Sequence, residues 1–243
     1  MKPTSLKSFI NIIKSTNVDS KSKLHYIHHH LRYLTRNESA HEKNLKGNVG
    51  RLSNGKIILS NGISFYYTKQ RLDEILGTLY EIFVRGDYSI NVKGKQVVDI
   101  GSAFGDSSIY FVSKGATQVY AYEADPKLIA EARKNIKYNK MEKKIISKCK
   151  FVDYSYFYKQ IVPQVNNAVL KMDIEGGELD LLKEPLNSKI LNFDSIIIEY
   201  HYGFKDLKQR LEKMGYIVRI KPNDAHQSGE RTMMTGYLIA TKN

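Results

Sequence analysis

The sequence predicts an α/β fold: a doubly wound, mostly parallel sheet of seven strands, closed by an antiparallel terminal pair. Three observations carry this. From Gln96 onward, short apolar runs alternate with amphipathic stretches, the pattern of successive β–α–β units. A strand beginning at Val97 passes Asp99, then Gly101 and Gly105, and enters a helix. The chain ends in two β-rich runs, GYIVRIKP and MTGYLIATKN, separated by a polar loop holding Asn223, Asp224, His226 and Gly229.

Taken in order, residues 1–50 read as a basic helical extension, with Leu24, Ile27, Leu31 and Leu34 spaced three and four apart on one face. His25, His28, His29 and His30 share this segment. Adjacent helical residues point in different directions, so only His25 and His29 share a face, and no metal site is expected from the four. Residues 51–95 lead into the core. SNGKIILSNGISFYYT gives two β-rich runs joined around Asn61 and Gly62, a hairpin signal, and a helix runs from about Leu72 to Val84 until Gly86 ends it.

The main domain is expected over residues 96–243. Strands are read at about 96–100, 118–123, 149–153, 167–172, 194–200, 215–221 and 234–241. Helices are read at about 106–114, 126–139, 176–183 and 204–214.

Composition narrows the setting. At 243 residues and 42% hydrophobic, the chain can bury one large core. No window approaches the 18 to 20 or so uncharged apolar residues that span a bilayer, and MKPTSLKSFINIIKSTN lacks a small-residue cleavage site, so the protein reads as soluble and cytoplasmic. The single cysteine, Cys149, excludes an intramolecular disulfide and a cysteine-only zinc site; a metal would need carboxylate and imidazole ligands. The formal charge is +13, and residues 1–50 supply nine Lys or Arg against Asp19, Glu38 and Glu42. Such a surface suits nucleic acid or an anionic substrate, and equally serves solubility.

The sharpest feature is VVDIGSAFGDSS. Its glycines let the backbone turn tightly and approach a ligand, and the following helix presents free amides. Twenty-two residues past Gly101, the strand VYAYE ends in Glu123, a carboxylate placed to accept from both hydroxyls of an adenosine ribose. The spacing is G-x-x-x-G, not the G-x-G-x-x-G of a dinucleotide site, and Asp99 and Asp106 would repel a pyrophosphate. They suit the sulfonium and ammonium of S-adenosylmethionine (SAM). The cofactor-contacting set is therefore taken as Asp99, Gly101, Ser102, Ala103, Gly105 and Asp106 from the loop, with Glu123 and Ala124 from the second strand. Asp153, ending KFVDYS, accepts from the adenine amino group or caps the next segment. Asp173 closes the set.

These motifs, with the asparagine of ARKNIKYN and above all LKMDIEGGELDLL followed by IIIEYH, resemble the FkbM-type methyltransferases of the class I SAM-dependent superfamily. The resemblance runs from about Glu81 to Thr241; residues 1–80 match nothing. The family's usual loop has Asn and Ile where this chain has Ala103 and Phe104. The resemblance implies methyl transfer to oxygen, commonly a hydroxyl of a sugar, lipid or secondary metabolite, so a small-molecule or glycan acceptor.

The residues make chemical sense of that reaction. Displacement at a sulfonium depends on holding acceptor and methyl in line, and the acceptor hydroxyl must lose its proton to a base or at a metal. Asp173, Glu175 and Glu178 follow the fourth core strand, while Glu199 and His201 end the fifth, so all face the same crevice. His201 is the leading base, with Glu175, Asp173 and Glu199 beside it; a divalent cation on Asp173, Glu199 and His201 is the alternative. Glu178 also reads as a first-turn helix acid. Tyr200 and Tyr202 either line the acceptor pocket or are buried by strand alternation.

Two rivals stand beside this reading. An RNA methyltransferase suits the charge, yet base-modifying enzymes commonly carry an Asn-Pro-Pro-Tyr-like turn where this chain has DIEGG. A non-catalytic nucleoside- or RNA-binding module is the other.

Overall fold

The structure, a computed structural model, describes residues 49–183, 187–201, 203–222, 226–228, 231–233 and 236–242. The chain divides into two units, 1–47 and 48–243, and every described residue lies in the second. The helix expected within residues 1–50, with its four histidines, and Tyr202 lie outside the described residues.

The described chain opens with a small antiparallel sheet of β1 (Gly50–Ser53), β2 (Lys56–Leu59) and β3 (Ser64–Tyr66). The hairpin read around Asn61 and Gly62 is β2 and β3. A further strand precedes it, joined through Asn54 and Gly55 at φ 48° and 72°, a primed-turn signal that the sequence reading passed over. Helix α1 (Leu72–Leu79) continues as a π-helical turn, Tyr80–Arg85, and ends at Gly86 with φ 72°. Only glycine adopts that conformation cheaply, so the stop is written in the sequence.

The core follows as β4 (Gln96–Ile100), α2 (Asp106–Ser113), β5 (Gln118–Glu123), α3 (Pro126–Tyr138), β6 (Ile145–Cys149), a single turn α4 (Tyr154–Tyr156), β7 (Ala168–Met172), α5 (Glu178–Leu181), β8 (Phe193–Tyr200), α6 (Lys205–Lys213) and β9 (Ile217–Pro222). A short β10–β11 ribbon (His226–Ser228, Arg231–Met233) precedes β12 (Gly236–Thr241). The seven-stranded sheet has the order β6-β5-β4-β7-β8-β12-β9. Strands β4 to β8 are mutually parallel, and β12 runs antiparallel to both β8 and β9. This is a doubly wound sheet with an antiparallel terminal pair, as the sequence predicts, and its order reverses at β4 and β7, where such sheets open a ligand crevice.

Alternation divides the central strands between two faces. Val98, Ile100, Leu170, Met172, Ile196 and Ile198 join Phe157, Leu181, Leu207 and Leu211 in one core. Asp99, Lys171 and Glu199 occupy the intervening positions. The small sheet is tied to the domain by two asparagines of the α3 region: Asn135 Oδ1 accepts from Tyr66 N at 2.7 Å and Asn139 Oδ1 from Ser64 N at 2.9 Å. Asn135 Nδ2 also donates to the Phe104 carbonyl at 2.9 Å, linking this tether to the glycine loop.

Three boundaries differ from expectation. The third core strand lies at 145–149, not 149–153: it is an edge strand, so it carries little apolar signal, whereas Phe151, which drew the strand later, is 72% exposed. The helix expected over 176–183 is one turn, Glu178–Leu181, because Glu175 and Gly176 adopt φ 56° and 104° and keep 173–177 a loop. The last strand begins at Gly236, with part of the preceding segment folded as the β10–β11 ribbon. Among the described residues no helix is long and apolar enough to cross a membrane.

Gly101 has φ 76°, and a Cβ built on it would lie 1.7 Å from the Asp173 carbonyl oxygen. Gly101→Ala should therefore cost about 3 kcal/mol or more in urea-unfolding free energy, since backbone must move. Gly62→Ala, at φ 85° with nothing within 4 Å, should cost only about 1 kcal/mol. Equal losses at the two sites would show that the loops are not in this close contact.

Candidate active site

A cavity of about 410 Å³ opens at the C-terminal ends of the central strands. Following the strand order, it is lined by Phe151 and Asp153 after β6, Tyr122 and Glu123 at the end of β5, Gly101 and Ala103 after β4, and Asp173, Ile174 and Glu175 after β7. Of the cofactor residues read from sequence, Gly101, Ala103, Glu123, Ala124, Asp153 and Asp173 line it.

The other four do not line it. Asp99 is fully buried; its Oδ2 accepts from the Ser107 and Ser108 hydroxyls at 2.7 and 2.5 Å, which fastens the start of α2 to the end of β4. Gly105, at φ 84°, sits 3.2 Å from Ala132 by its would-be Cβ, so it serves close packing. Ser102 and Asp106 are buried with Ser102 Oγ and Asp106 Oδ1 unpartnered, and burial pushes the Asp106 carboxyl up to about 7.

Glu123 does more than end a strand. Its two oxygens accept from Ala103 N at 2.9 Å and Asp125 N at 2.8 Å, so it shapes the glycine loop while keeping lone pairs toward the cavity. Asp153 caps α4, accepting from Tyr156 N at 2.7 Å, and also lines the cavity. The cap and the ligand contact therefore fall on one side chain.

Beyond β7 and β8 the expected cluster assembles. His201 Nε2 lies 3.4 Å from Glu175 Oε2 and 3.8 Å from Asp173 Oδ1, and its Nδ1 lies 3.3 Å from Glu178 Oε1. The same Glu178 oxygen accepts from Ile174 N and Gly176 N at 3.3 and 3.2 Å, so Glu178 holds both the loop and the imidazole. Burial alone would lower the His201 pKa, but the Glu178 bond and the charges of Asp173, Glu175 and Glu178 outweigh it and raise it to about 9. At neutral pH the ring is thus largely imidazolium, whereas sequence reasoning placed its titration near working pH. Burial, with Asp173 next, pushes Glu199 up to about 8. Among the described residues the group suited to a cation is Asp173, Glu175 and His201, with ligand atoms within 4.8 Å of one another; Glu175 stands where the sequence reading put Glu199.

Of the two alternatives for Tyr200, burial is the one observed. Tyr200 is 1% exposed and packs against Phe204 in the core, as alternation dictates, so it does not line the pocket. Tyr88, unremarked in the sequence, instead reaches Asp173 Oδ2 at 3.4 Å. Sequence reasoning also missed Lys171, 2% exposed, whose Nζ donates to the Gly101 carbonyl at 2.5 Å and lies 3.3 Å from Asp99 Oδ1 and 3.7 Å from Asp173 Oδ2. Burial works against its charge, yet Asp99, Asp173 and Asp106 more than offset this and hold its pKa above the ordinary lysine value. A lysine in the buried register of a central parallel strand was the available signal.

Residues 152–218 match the family model described as Methyltransferase FkbM domain, which bears out, over that stretch, the resemblance read from DIEGGE and IIIEYH. The ribosomal protein L11 methyltransferase of Carboxydothermus hydrogenoformans is 28% identical over 130 residues, 54% of this chain and 41% of that protein, so the chain spans about two fifths of that relative. Among solved structures, M. capricolum TrmK in complex with S-adenosyl-homocysteine (SAH) is 18% identical with a TM-score of 0.49, covering 65% of this chain and 66% of that one. Precorrin-6y C5,15-methyltransferase from Geobacter metallireducens GS-15 is 16% identical with a TM-score of 0.47, covering 74% and 94%.

The His201 shift has a sign that can be checked. A histidine whose folded pKa is raised stabilises the fold fully below its unfolded value near 6.5, and that contribution is lost as pH rises through about 9. The raised carboxyls of Asp106 and Glu199 act in the same sense, the fold losing stability as the pH climbs to about 7 and about 8. The melting temperature should therefore fall between pH 6.5 and 9. In Glu178→Gln, which removes the carboxylate charge beside Nδ1, the fall should be smaller; an unchanged slope would take His201 out of this network.

Proposed function

We propose that this chain, which carries an FkbM methyltransferase domain over residues 152–218, transfers a methyl group from SAM to a hydroxyl of a small-molecule acceptor. One observation carries the reading: a single cavity joins a nucleoside end at Glu123 and Asp153 to a carboxylate edge at Asp173 and Glu175, and His201 lies against those two carboxylates. The ribose hydroxyls would bond Glu123, and the adenine amino group Asp153. The strand order then carries the methionine end across Gly101 toward Asp173.

His201 is the proposed base. Glu178 holds Nδ1, while Nε2 lies 3.4 Å from Glu175 Oε2 and 3.8 Å from Asp173 Oδ1, two residues that line the cavity. The ring is protonated in the cofactor-free chain, and arrival of a sulfonium would lower its pKa by like-charge repulsion, so cofactor binding itself would prepare the base. The alternative is a divalent cation on Asp173, Glu175 and His201, which would acidify the acceptor hydroxyl directly.

A second reading, an RNA acceptor, is favoured by one feature. Between Lys127 and Lys150 nine Lys or Arg stand against Glu131 and Glu142, and Lys150 with Phe151 reaches the cavity rim. Binding of a labelled single-stranded RNA with a steep salt dependence would support it.

The cofactor assignment is tested by titrating SAM into the wild type and Glu123→Ala. The variant should bind about 1 to 3 kcal/mol more weakly with its fold intact, and an unchanged dissociation constant would move the ribose elsewhere.

The mechanism is tested once mass spectrometry of the purified protein, or an acceptor screen, has supplied a substrate. With a His201 base, the rate should rise between pH 7 and 9, and His201→Ala should lose about 100-fold or more. With a metal, chelation should abolish activity and Mg²⁺ or Mn²⁺ restore it, with Asp173→Ala and Glu175→Ala equally damaging. Full activity of His201→Ala after chelation would sink both.

A further inference from the structure

Lys171 is the buried lysine of the described core, and stability alone does not account for it. A buried ion pair contributes little net stability, because desolvation consumes most of the attraction; well-packed apolar residues would serve the sheet as well. Its position points to another role. Asp99 is its register partner across β4 and β7, and its Nζ contacts Asp99, Asp173 and the Gly101 carbonyl. Gly101 and Asp173 both line the cavity, side by side at the reversal of strand order. With the nucleoside end at Glu123 on β5, the sulfonium would come to rest above this junction.

Methyl transfer discharges the cofactor. The carbon–sulfur bond breaks as the carbon–oxygen bond forms, its electron pair stays on sulfur, and the acceptor proton passes to the base, so cationic SAM becomes neutral SAH. Carboxylates left uncompensated near sulfur would stabilise the starting cation more than the transition state and slow transfer. We infer that Lys171 is a positioning residue whose charge, set between Asp99 and Asp173, keeps the site from holding the sulfonium over the thioether. This rests on the SAM reading above.

The test compares dissociation constants for SAM and SAH by calorimetry in the full chain, so no acceptor is needed. Asp99→Asn leaves the Lys171 charge in excess and should weaken SAM relative to SAH by at least about fivefold. The double variant Asp99→Asn with Lys171→Met removes both charges and should return the ratio to within about twofold of wild type. Lys171→Met alone should move the ratio toward SAM. This keeps the idea testable if the asparagine variant does not fold. Lys171→Arg, which disturbs packing but keeps charge, should leave the ratio unchanged. A merely structural lysine would weaken both cofactors by the same factor in every variant, and that outcome overturns the inference. A wild type that binds neither molecule overturns the SAM reading itself, a different failure from a ratio that does not move.

Discussion

An ammonium almost cut off from water, held by Asp99, Asp173 and the Gly101 carbonyl, joins the two loops on which the proposed chemistry depends. The glycine loop leaves β4 and the Asp173 loop leaves β7, and they run so close that no side chain fits at Gly101. Asp99 reaches in the other direction, to Ser107 and Ser108 at the start of α2. The bonds to Asp99 are charge-assisted, and truncating either partner would strand a charge in the interior. The geometry at the sheet edge is thus fixed from beneath, by groups that do not line the cavity.

The parts of the fold legible in the sequence are those where one local signal suffices. β4 and β5 fall on their expected bounds because buried parallel strands are continuous apolar runs, and Gly86 stops its helix because few other residues take that conformation. β6 was misplaced because an edge strand has little to bury. Ile145 is buried while Ile146 is not, and the more apolar Phe151 belongs to the cavity rim. The site was legible as a list of residues but not as a division of labour. Spacing put Asp99 and Glu123 at strand ends; it did not say that Asp99 turns under the loop, or that Glu123 holds the Ala103 amide. Lys171 was passed over because a lysine ordinarily signals solvent, and only the register opposite Asp99 reveals it as buried.

Charge is distributed unevenly over the described chain. The exposed cations of α3, with Lys140, Lys143, Lys144 and Lys150 in the loops flanking β6, dominate the sheet edge nearest the nucleoside end. At β7 and β8 carboxylates prevail, answered by Lys171 and His201. The net charge of +13 therefore describes how the protein meets a polyanion at a distance, not what an acceptor meets at the site.

That local balance is the electrostatic argument for the proposed hydroxyl acceptor. A phosphate beside Asp173 and Glu175 would meet like charges, whereas hydroxyls can donate to those carboxylates and leave Nε2 of His201 to take the proton. An RNA chain could lie along the basic edge of α3 and β6, but its reactive hydroxyl would still have to pass the acidic rim. The docking surface and the reacting edge thus point to different ligands. In the proposed reaction the reacting edge would decide which group is methylated, because chemistry responds to the field within a few ångströms and approach responds to the field of the whole molecule.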